Sequence, residues 1–255
     1  MFIHPIPAFS DNYIWALHDP AGANLCVVDP GDANVVIDYA EQQGLSVSEI
    51  LITHHHADHT GGLPGLMARF SPRITGPHNP SITGISNPVA EGDSVELFGL
   101  QLQVLEVPGH TLDHIAYYEA NQGMLFCGDT LFAAGCGRIF EGTAAQMFVS
   151  LSKLKSLPQD TRVYCTHEYT LANLAFARAA DPENEELALR LENAERTRAQ
   201  GLPTLPSDLK TELGTNPFLR ADCQPLRTQM EHRTGNRLPD DVSVFSALRA
   251  WKDNF

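Results

Sequence analysis

Four imidazoles within six residues, His54, His55, His56 and His59, are the feature this 255-residue chain has most trouble accommodating. The apolar run Glu49–Thr53 leads into them as a short buried strand, and Gly61-Gly62 leads out. On an extended backbone side chains alternate, so His54 and His56 point one way and His55 the other. A turn immediately afterwards brings Asp58 and His59 back towards a second point. Crowding imidazoles together with nothing between them costs desolvation and lowers their affinity for protons. Neutral imidazoles and a carboxylate are, however, the ligands that a borderline cation such as zinc accepts. A solvated polar loop is the bland alternative, and the strand-in, glycine-out setting argues against it.

Three more residues share that setting. His110 follows the apolar run Leu102–Val107 and Pro108-Gly109, Asp129 follows Met124–Cys127 and Gly128, and His167 follows Arg162–Cys165. Loops at strand ends are where a rigid sheet can hold polar groups at fixed separation. Singly, each of the three would pass for a capping or turn residue; together with the first cluster they make seven candidates at successive strand ends.

Short apolar runs alternate with turn clusters up to about residue 166, and the texture then changes. Ala33–Gln43 has helical spacing and stops at Gly44, Gly62–Phe70 reads as a helix, and Thr143 can cap a helix carrying Met147, Phe148, Leu151 and Leu154. Strands are expected at Asn12–His18 and Asn24–Asp29, and hairpins around Gly99 and around Asn121-Gln122-Gly123. From 169 to 200 nearly every residue favours helix, broken at Asp181-Pro182, and 207–220 and 242–252 look helical too. The expected organisation is a β-rich α/β domain over residues 1–166 and a helical domain over 167–255. Net charge is −14, with 6 Lys/Arg against 17 Asp/Glu in the first 166 residues. A chain so acidic lacks the footprint of a nucleic-acid binder. No apolar run approaches the roughly 20 residues of a membrane span, and the first Lys or Arg is Arg69, unlike a signal peptide. Five scattered cysteines without a CxxC pair fit reduced thiols in a cytoplasmic setting.

His54-x-His56-x-Asp58-His59, followed by Gly-His, Gly-Asp-Thr and a last His, resembles the metallo-β-lactamase superfamily. More narrowly, Thr53–Gly62, Pro108–Thr111, the stretch CGDTLFAAGCGRIFE at Cys127–Glu141 and CTHEYT at Cys165–Thr170 resemble hydroxyacylglutathione hydrolases, the glyoxalase II family. The similarity runs from Asn12 to Phe255. It implies an αββα sandwich with its site at one edge, followed by a C-terminal helical domain lining the substrate groove. It implies two divalent metal ions, zinc first, with iron or manganese also acceptable. His54, His56 and His110 would hold one, Asp58, His59 and His167 the other, and Asp129 would bridge them. His55 would be a bystander, and His114 matches a family histidine that orients a ligand or shapes the loop. His4, His18, His78 and His232 fit no metal motif.

The implied reaction is hydrolysis of a glutathione thioester such as S-D-lactoylglutathione, the second step of methylglyoxal detoxification. Two metals about 3.5–4 Å apart can share a hydroxide that is nucleophilic at neutral pH, and Asp58 is the ligand placed to aim it. A thiolate leaving group with a pKa near 8.5 can depart without a dedicated acid, which suits a site with no obvious proton donor outside the ligand set. Arg138, Phe140, Tyr169, Arg249 and Lys252 would surround the glutathione. Arg249 and Lys252 lie three apart on one helix face. Two departures stand out: Phe140 replaces a tyrosine common among relatives, removing a hydroxyl, and Asp113 replaces a Gly or Ser. A monomer, with neither nucleic acid nor membrane as partner, is expected. Persulfide dioxygenase, lactonase and RNA-processing nuclease are the competing activities of the superfamily; one iron per chain would favour the first, and salt-sensitive RNA binding the last.

Overall fold

The computed structural model describes all 255 residues, which form two compact units: Met1–Glu106 with Asp113–Gly128, and Val107–Leu112 with Asp129–Phe255.

In the first unit, strands β1 (Phe2–Ala8), β2 (Asn12–His18), β3 (Asn24–Val28), β4 (Ser46–Leu51), β5 (Arg73–Pro77) and β6 (Asn87–Val89) lie in sequence order in one sheet. The pairs β1–β2 and β2–β3 are antiparallel; β3 through β6 are parallel. Helix α1 (Ala33–Gln43) supplies the crossover that a parallel pair requires. Asp32 caps it by accepting from Asn34 N, and Gly44 ends it with φ at 67°. Helix α3 (Leu63–Phe70) makes the next crossover, after the single turn α2 (Ala57–Thr60). Both long helices bury one face on the sheet, with Val36, Ala40, Leu63 and Leu66 packed among Ile14, Leu25, Val27 and Ile50.

A second, antiparallel layer comes from β7 (Ser94–Leu97), β8 (Leu100–Glu106), β9 (Ile115–Glu119) and β10 (Met124–Gly128). The layers face each other: Tyr117, fully buried on β9, donates its hydroxyl to Ile52 O at 2.8 Å and Thr75 O at 3.3 Å. Ile52 directly follows β4 and Thr75 is in the middle of β5, so β9 fixes the strand end from which the histidine run departs. Ile115 N donates to Thr53 O on the same line.

The second unit holds the ribbon β11 (Leu131–Phe132) and β12 (Gly135–Cys136), helix α4 (Ala144–Lys155), and β13 (Arg162–Cys165) paired with β14 (Ser207–Asp208). Helices α5 (Thr170–Ala180), α6 (Glu185–Ala199), α7 (Leu209–Thr215), α8 (Gln224–Thr234) and α9 (Asp241–Lys252) complete it. Thr143 caps α4 as expected, in a reciprocal box with Gln146. Phe148, Phe245, Phe218 and Phe176 form a chain of ring contacts between α4, α9, the 3-10 turn Pro217–Leu219 and α5.

Local pattern missed several elements. Strand β1 contains Pro5 and Pro7, which spoil a strand signature but are tolerated on an edge, where one N–H row needs no partner. The helix expected over 207–220 stops at Thr215, because Pro217 cannot continue it. Helix α8 is mostly polar, and only Leu226 and Met230 are buried on it.

Candidate metal centre and substrate pocket

In the first unit the run after β4 turns as its spacing requires. His54 Nε2 and His56 Nδ1 face each other at 3.1 Å, and His59 Nε2 comes to 3.5 Å from Asp58 Oδ2. Partners behind these rings set what each presents. Buried Asp29 accepts from Thr53 N at 2.8 Å and from the Thr53 hydroxyl at 2.7 Å. With its proton committed there, Thr53 Oγ1 accepts from His54 Nδ1 at 3.1 Å, so Nε2 carries the lone pair. Asp29 Oδ2 also lies 3.0 Å from His59 Nδ1, an ion-pair contact at the back of that ring. Asn12 Nδ2 steadies Asp58 Oδ2 at 3.2 Å, and His114 stacks on His54 with centroids 4.6 Å apart, its own Nδ1 donating to Ile115 O.

Asp29 is the residue that sequence reasoning missed. Its only signal was an acid closing a buried strand before Pro30-Gly31. Its φ of 52° is a left-handed conformation rarely taken by a residue other than glycine, held here by the strand end. Gly31 allows the approach beneath: a Cβ there would lie 1.9 Å from Asp58 O.

His55 turns the other way, as alternation requires, and its Nδ1 pairs with Asp113 Oδ1 at 2.9 Å. Asn79 donates to the other oxygen of Asp113 at 2.7 Å. Asp113 thus ties the bystander histidine to the loop after β5. Among the remaining histidines, His4 stacks on Tyr39 and His18 Nε2 lies 2.7 Å from the Tyr39 hydroxyl, both with pKa values lowered by burial.

In the second unit, His110 Nε2 and His167 Nε2 converge on one atom, Asp129 Oδ2, at 3.5 and 3.3 Å. His110 Nδ1 donates to Arg138 O at 2.7 Å; a carbonyl can only accept, so the lone pair is on Nε2 here too. His167 lies flat against Tyr169, centroids 4.6 Å apart and planes 4° from parallel, with Phe132 edge-on to both. Gly137 lets Arg138 come close, since a Cβ there would stand 1.9 Å from Asp129 O.

Beside this group lies a cavity of about 310 Å³ lined by Phe132, Cys136, Arg138, Tyr169, Arg249 and Lys252, among others. Arg249 is buried at 7% exposure. It donates to Cys136 O at 2.9 Å and pairs with Asp253 at 3.0 Å, and Arg138 reaches the same carboxylate at 3.6 Å. Lys252 sits over the rings of Phe176 and Phe255, and burial, then the charge of Arg249, lower its pKa. Phe140 is exposed, its ring edge against His110 with centroids 5.3 Å apart. None of the five cysteines is in a disulfide, and four are buried. No helix is long and apolar enough to cross a membrane.

The donor set suits a divalent metal ion: His54 and His110 have Nδ1 committed and present Nε2, and carboxylate oxygens stand within 3.5 Å of Nε2 of His59, His110 and His167. Known proteins agree. Residues 15–167 match the model of the metallo-β-lactamase superfamily and residues 168–255 that of the hydroxyacylglutathione hydrolase C-terminus. ETHE1 from Myxococcus xanthus superposes with a TM-score of 0.67 at 25% identity, covering 99% of this chain and 98% of that one. BLEG-1 B3 metallo-β-lactamase gives 0.65 at 21% identity over 86% and 99%. Fold and donor set together define a metal-binding hydrolase of the metallo-β-lactamase superfamily.

Relatives narrow the class. A hydroxyacylglutathione hydrolase of Chromohalobacter salexigens is 51% identical over 98% of both chains, and one of Nitrosomonas europaea 52% identical over 99% of this chain and 96% of its own. The chain belongs to the hydroxyacylglutathione hydrolase family.

Proposed function

We propose that the chain hydrolyses S-(2-hydroxyacyl)glutathione thioesters, S-D-lactoylglutathione among them, to the 2-hydroxy acid and glutathione. The observation that carries this reading is identity of about half of all residues, over nearly the full length of both chains, with relatives bearing that name. The cationic cavity supports it independently: in a chain of net charge −14, Arg138, Arg249 and Lys252 line one pocket, fit for a tripeptide with two carboxylates.

In this proposal His54, His56 and His110 would hold one metal ion and Asp58, His59 and His167 a second, with Asp129 contributing to both. Zinc is the first choice, and iron or manganese would accept the same donors; TTHA1623, 27% identical over 66% of this chain with a TM-score of 0.56, is known in a di-iron-bound form. When bound, the metals lower the pKa of water and polarise the thioester carbonyl. The chain's residues do the rest. Asp58, steadied by Asn12, accepts a hydrogen bond from the attacking water and aims it. Tyr169 and Phe132 offer a ring wall to the substrate, and Lys252 and Arg138 meet its carboxylates. The leaving thiolate needs no acid, since its conjugate thiol has a pKa near 8.5.

The proposal also places a boundary at residue 166 between a catalytic and a helical substrate-binding domain; the matched ranges 15–167 and 168–255 support it. Buried cysteines outside disulfides suit a cytoplasmic setting; the monomer that belongs to this reading is checked by light scattering. The deciding assay is hydrolysis of a panel of glutathione and coenzyme A thioesters with and without chelator. Chelator-sensitive cleavage of S-D-lactoylglutathione is expected, and a folded, metal-loaded protein without thioesterase activity would refute the proposal.

A further inference from the structure

The ribbon β11–β12 joins two parts of the proposed site. Asp129 stands two residues before it, Arg138 two residues after, and Phe132 and Cys136 within it line the cavity. Yet the ribbon is only two residue pairs long, Leu131 with Cys136 and Phe132 with Gly135, and a lone two-stranded ribbon is marginal in water. Its turn carries Ala134 with φ at 54°, a left-handed conformation without glycine's freedom.

What holds it is a set of side chains from the helices. Asn173 on α5 donates to Ala133 O at 3.1 Å, and Glu212 on α7 accepts from Ala134 N at 2.8 Å. Asn216, just past α7, donates to Phe132 O at 3.1 Å and Gly135 O at 2.9 Å, while its own oxygen accepts from Phe218 N. Four backbone groups of the turn are therefore each met by a polar side chain. Glu212 is the centre of the set. Its side chain is wholly buried, one oxygen serving Ala134 N and Asn216 Nδ2, the other Arg190 and the Ser207 hydroxyl. A buried ion pair is a poor way to gain stability, because desolvation offsets its attraction. Apolar packing would secure a helix face more cheaply, but it would not fix backbone positions one by one.

We propose that Glu212, with Asn216 and Asn173, is a positioning residue: it fixes the β11–β12 turn and thereby the places of Asp129 and of the cavity wall at Phe132. The inference rests on the metal-ligand role proposed above for Asp129. Glu212 touches neither substrate nor metal itself, so stability alone could be its purpose, and the test must separate the two.

Glu212→Ala removes both halves of the network. Glu212→Gln can keep an acceptor on Ala134 N while losing the charge that meets Arg190, and Asn173→Ala removes one turn contact and leaves Glu212 intact. Asp240→Ala, which deletes the cap that accepts from Ser243 N at the start of α9, serves as a stability control whose own hydrogen bonds go to Ser243 and not to the ribbon. For each folded variant three quantities are read: hydrogen exchange of the 131–136 amides in metal-stripped protein, release of zinc to a chromogenic chelator without substrate, and the kcat and KM of thioester hydrolysis. The expected result is faster exchange and roughly tenfold or more faster zinc release in Glu212→Ala and Asn173→Ala, with kcat falling alongside. Glu212→Gln and Asp240→Ala should lower Tm and leave zinc release near wild type. If Glu212→Ala and Asn173→Ala lose Tm alone, with wild-type exchange and zinc release, the proposal is overturned. Should Glu212→Ala not fold, Asn173→Ala separates the same two outcomes. A wild type inert towards thioesters would sink the functional reading, while exchange and zinc release would still test the clamp.

Discussion

The proposed ligand residues of the two units are held by different means. In the first unit four of them sit in six consecutive residues, and their rings are backed by side chains: Asp29 pairs with His59 at 3.0 Å and reaches His54 through Thr53. In the second unit the three ligand residues are spread from 110 to 167. His110 is oriented by a backbone carbonyl, that of Arg138, and His167 by the flat face of Tyr169. Orientation by a side chain can be undone by one substitution. Orientation by a carbonyl belongs to the shape of a loop, and the side chain that carries the carbonyl is left available for another purpose.

The largest expected effect falls on the residue where two ligand rings meet. Asp129→Ala removes the carboxylate that both His110 and His167 face. Metal analysis should show lost occupancy, and thioester hydrolysis should fall by more than the roughly 100-fold that an outer partner can cost. Near-wild-type metal content in this variant would break the proposed bridging role.

Next comes the contrast itself. Asp29→Ala should weaken metal binding by about 10–100-fold, as loss of an outer-shell carboxylate does. Asp29→Asn should cost less, because asparagine also tolerates the left-handed backbone at this position and keeps an acceptor for Thr53 N. Arg138→Ala should leave metal content unchanged, since only its carbonyl serves His110, and should raise KM instead. Competition titrations against a chelator, read beside kcat and KM, decide this. If Arg138→Ala released metal as readily as Asp29→Ala, the distinction between the two units would be wrong.

That contrast also explains what could be read from the sequence. Contiguity made His54–His59 legible, because alternation on a strand followed by glycines fixes where the rings point. His110, Asp129 and His167 were legible only as strand-end residues, and they became a set through the family motif. Asp29 was not legible: its neighbours in the chain are Val28 and Pro30, and its partners are 24 and 30 residues away. Asp113 is similar, meaningful only once β9 brings it beside His55. The ribbon at 131–136 escaped notice because two residues per strand leave no periodicity to detect, and what holds it lies 40 to 84 residues further on. Long helices and buried strands announce themselves locally, whereas polar contacts made by folding do not.

A smaller effect should appear at Lys252. Removing its charge with Lys252→Ala should raise KM for a glutathione thioester about tenfold, the size of one hydrogen bond to a charged group, with kcat retained. Burial, and after it the charge of Arg249, hold its pKa below that of an ordinary lysine. The neutral form is therefore reached at a lower pH than usual, and the neutral form no longer attracts a carboxylate. KM of the wild type should climb on the alkaline side before a solvent-exposed lysine would titrate. In Lys252→Ala that rise should be absent. A KM profile in which both proteins climb together would assign the alkaline limb to another group.

The smallest effect is the most instructive about substrate affinity. Phe140 is exposed, with its ring edge against His110, and it stands where the family resemblance implies a tyrosine. Phe140→Tyr adds a hydroxyl at the outer end of a ring already held, so the backbone and His110 have no reason to move. One neutral hydrogen bond to bound substrate is worth about 1 kcal/mol net, which lowers KM by up to about fivefold. Because the ring touches a proposed metal ligand, kcat and metal content serve as the control. KM alone should change. A shift in kcat or in metal release would mean that Phe140 acts through His110, which would then depend on a side chain as well as on the Arg138 carbonyl.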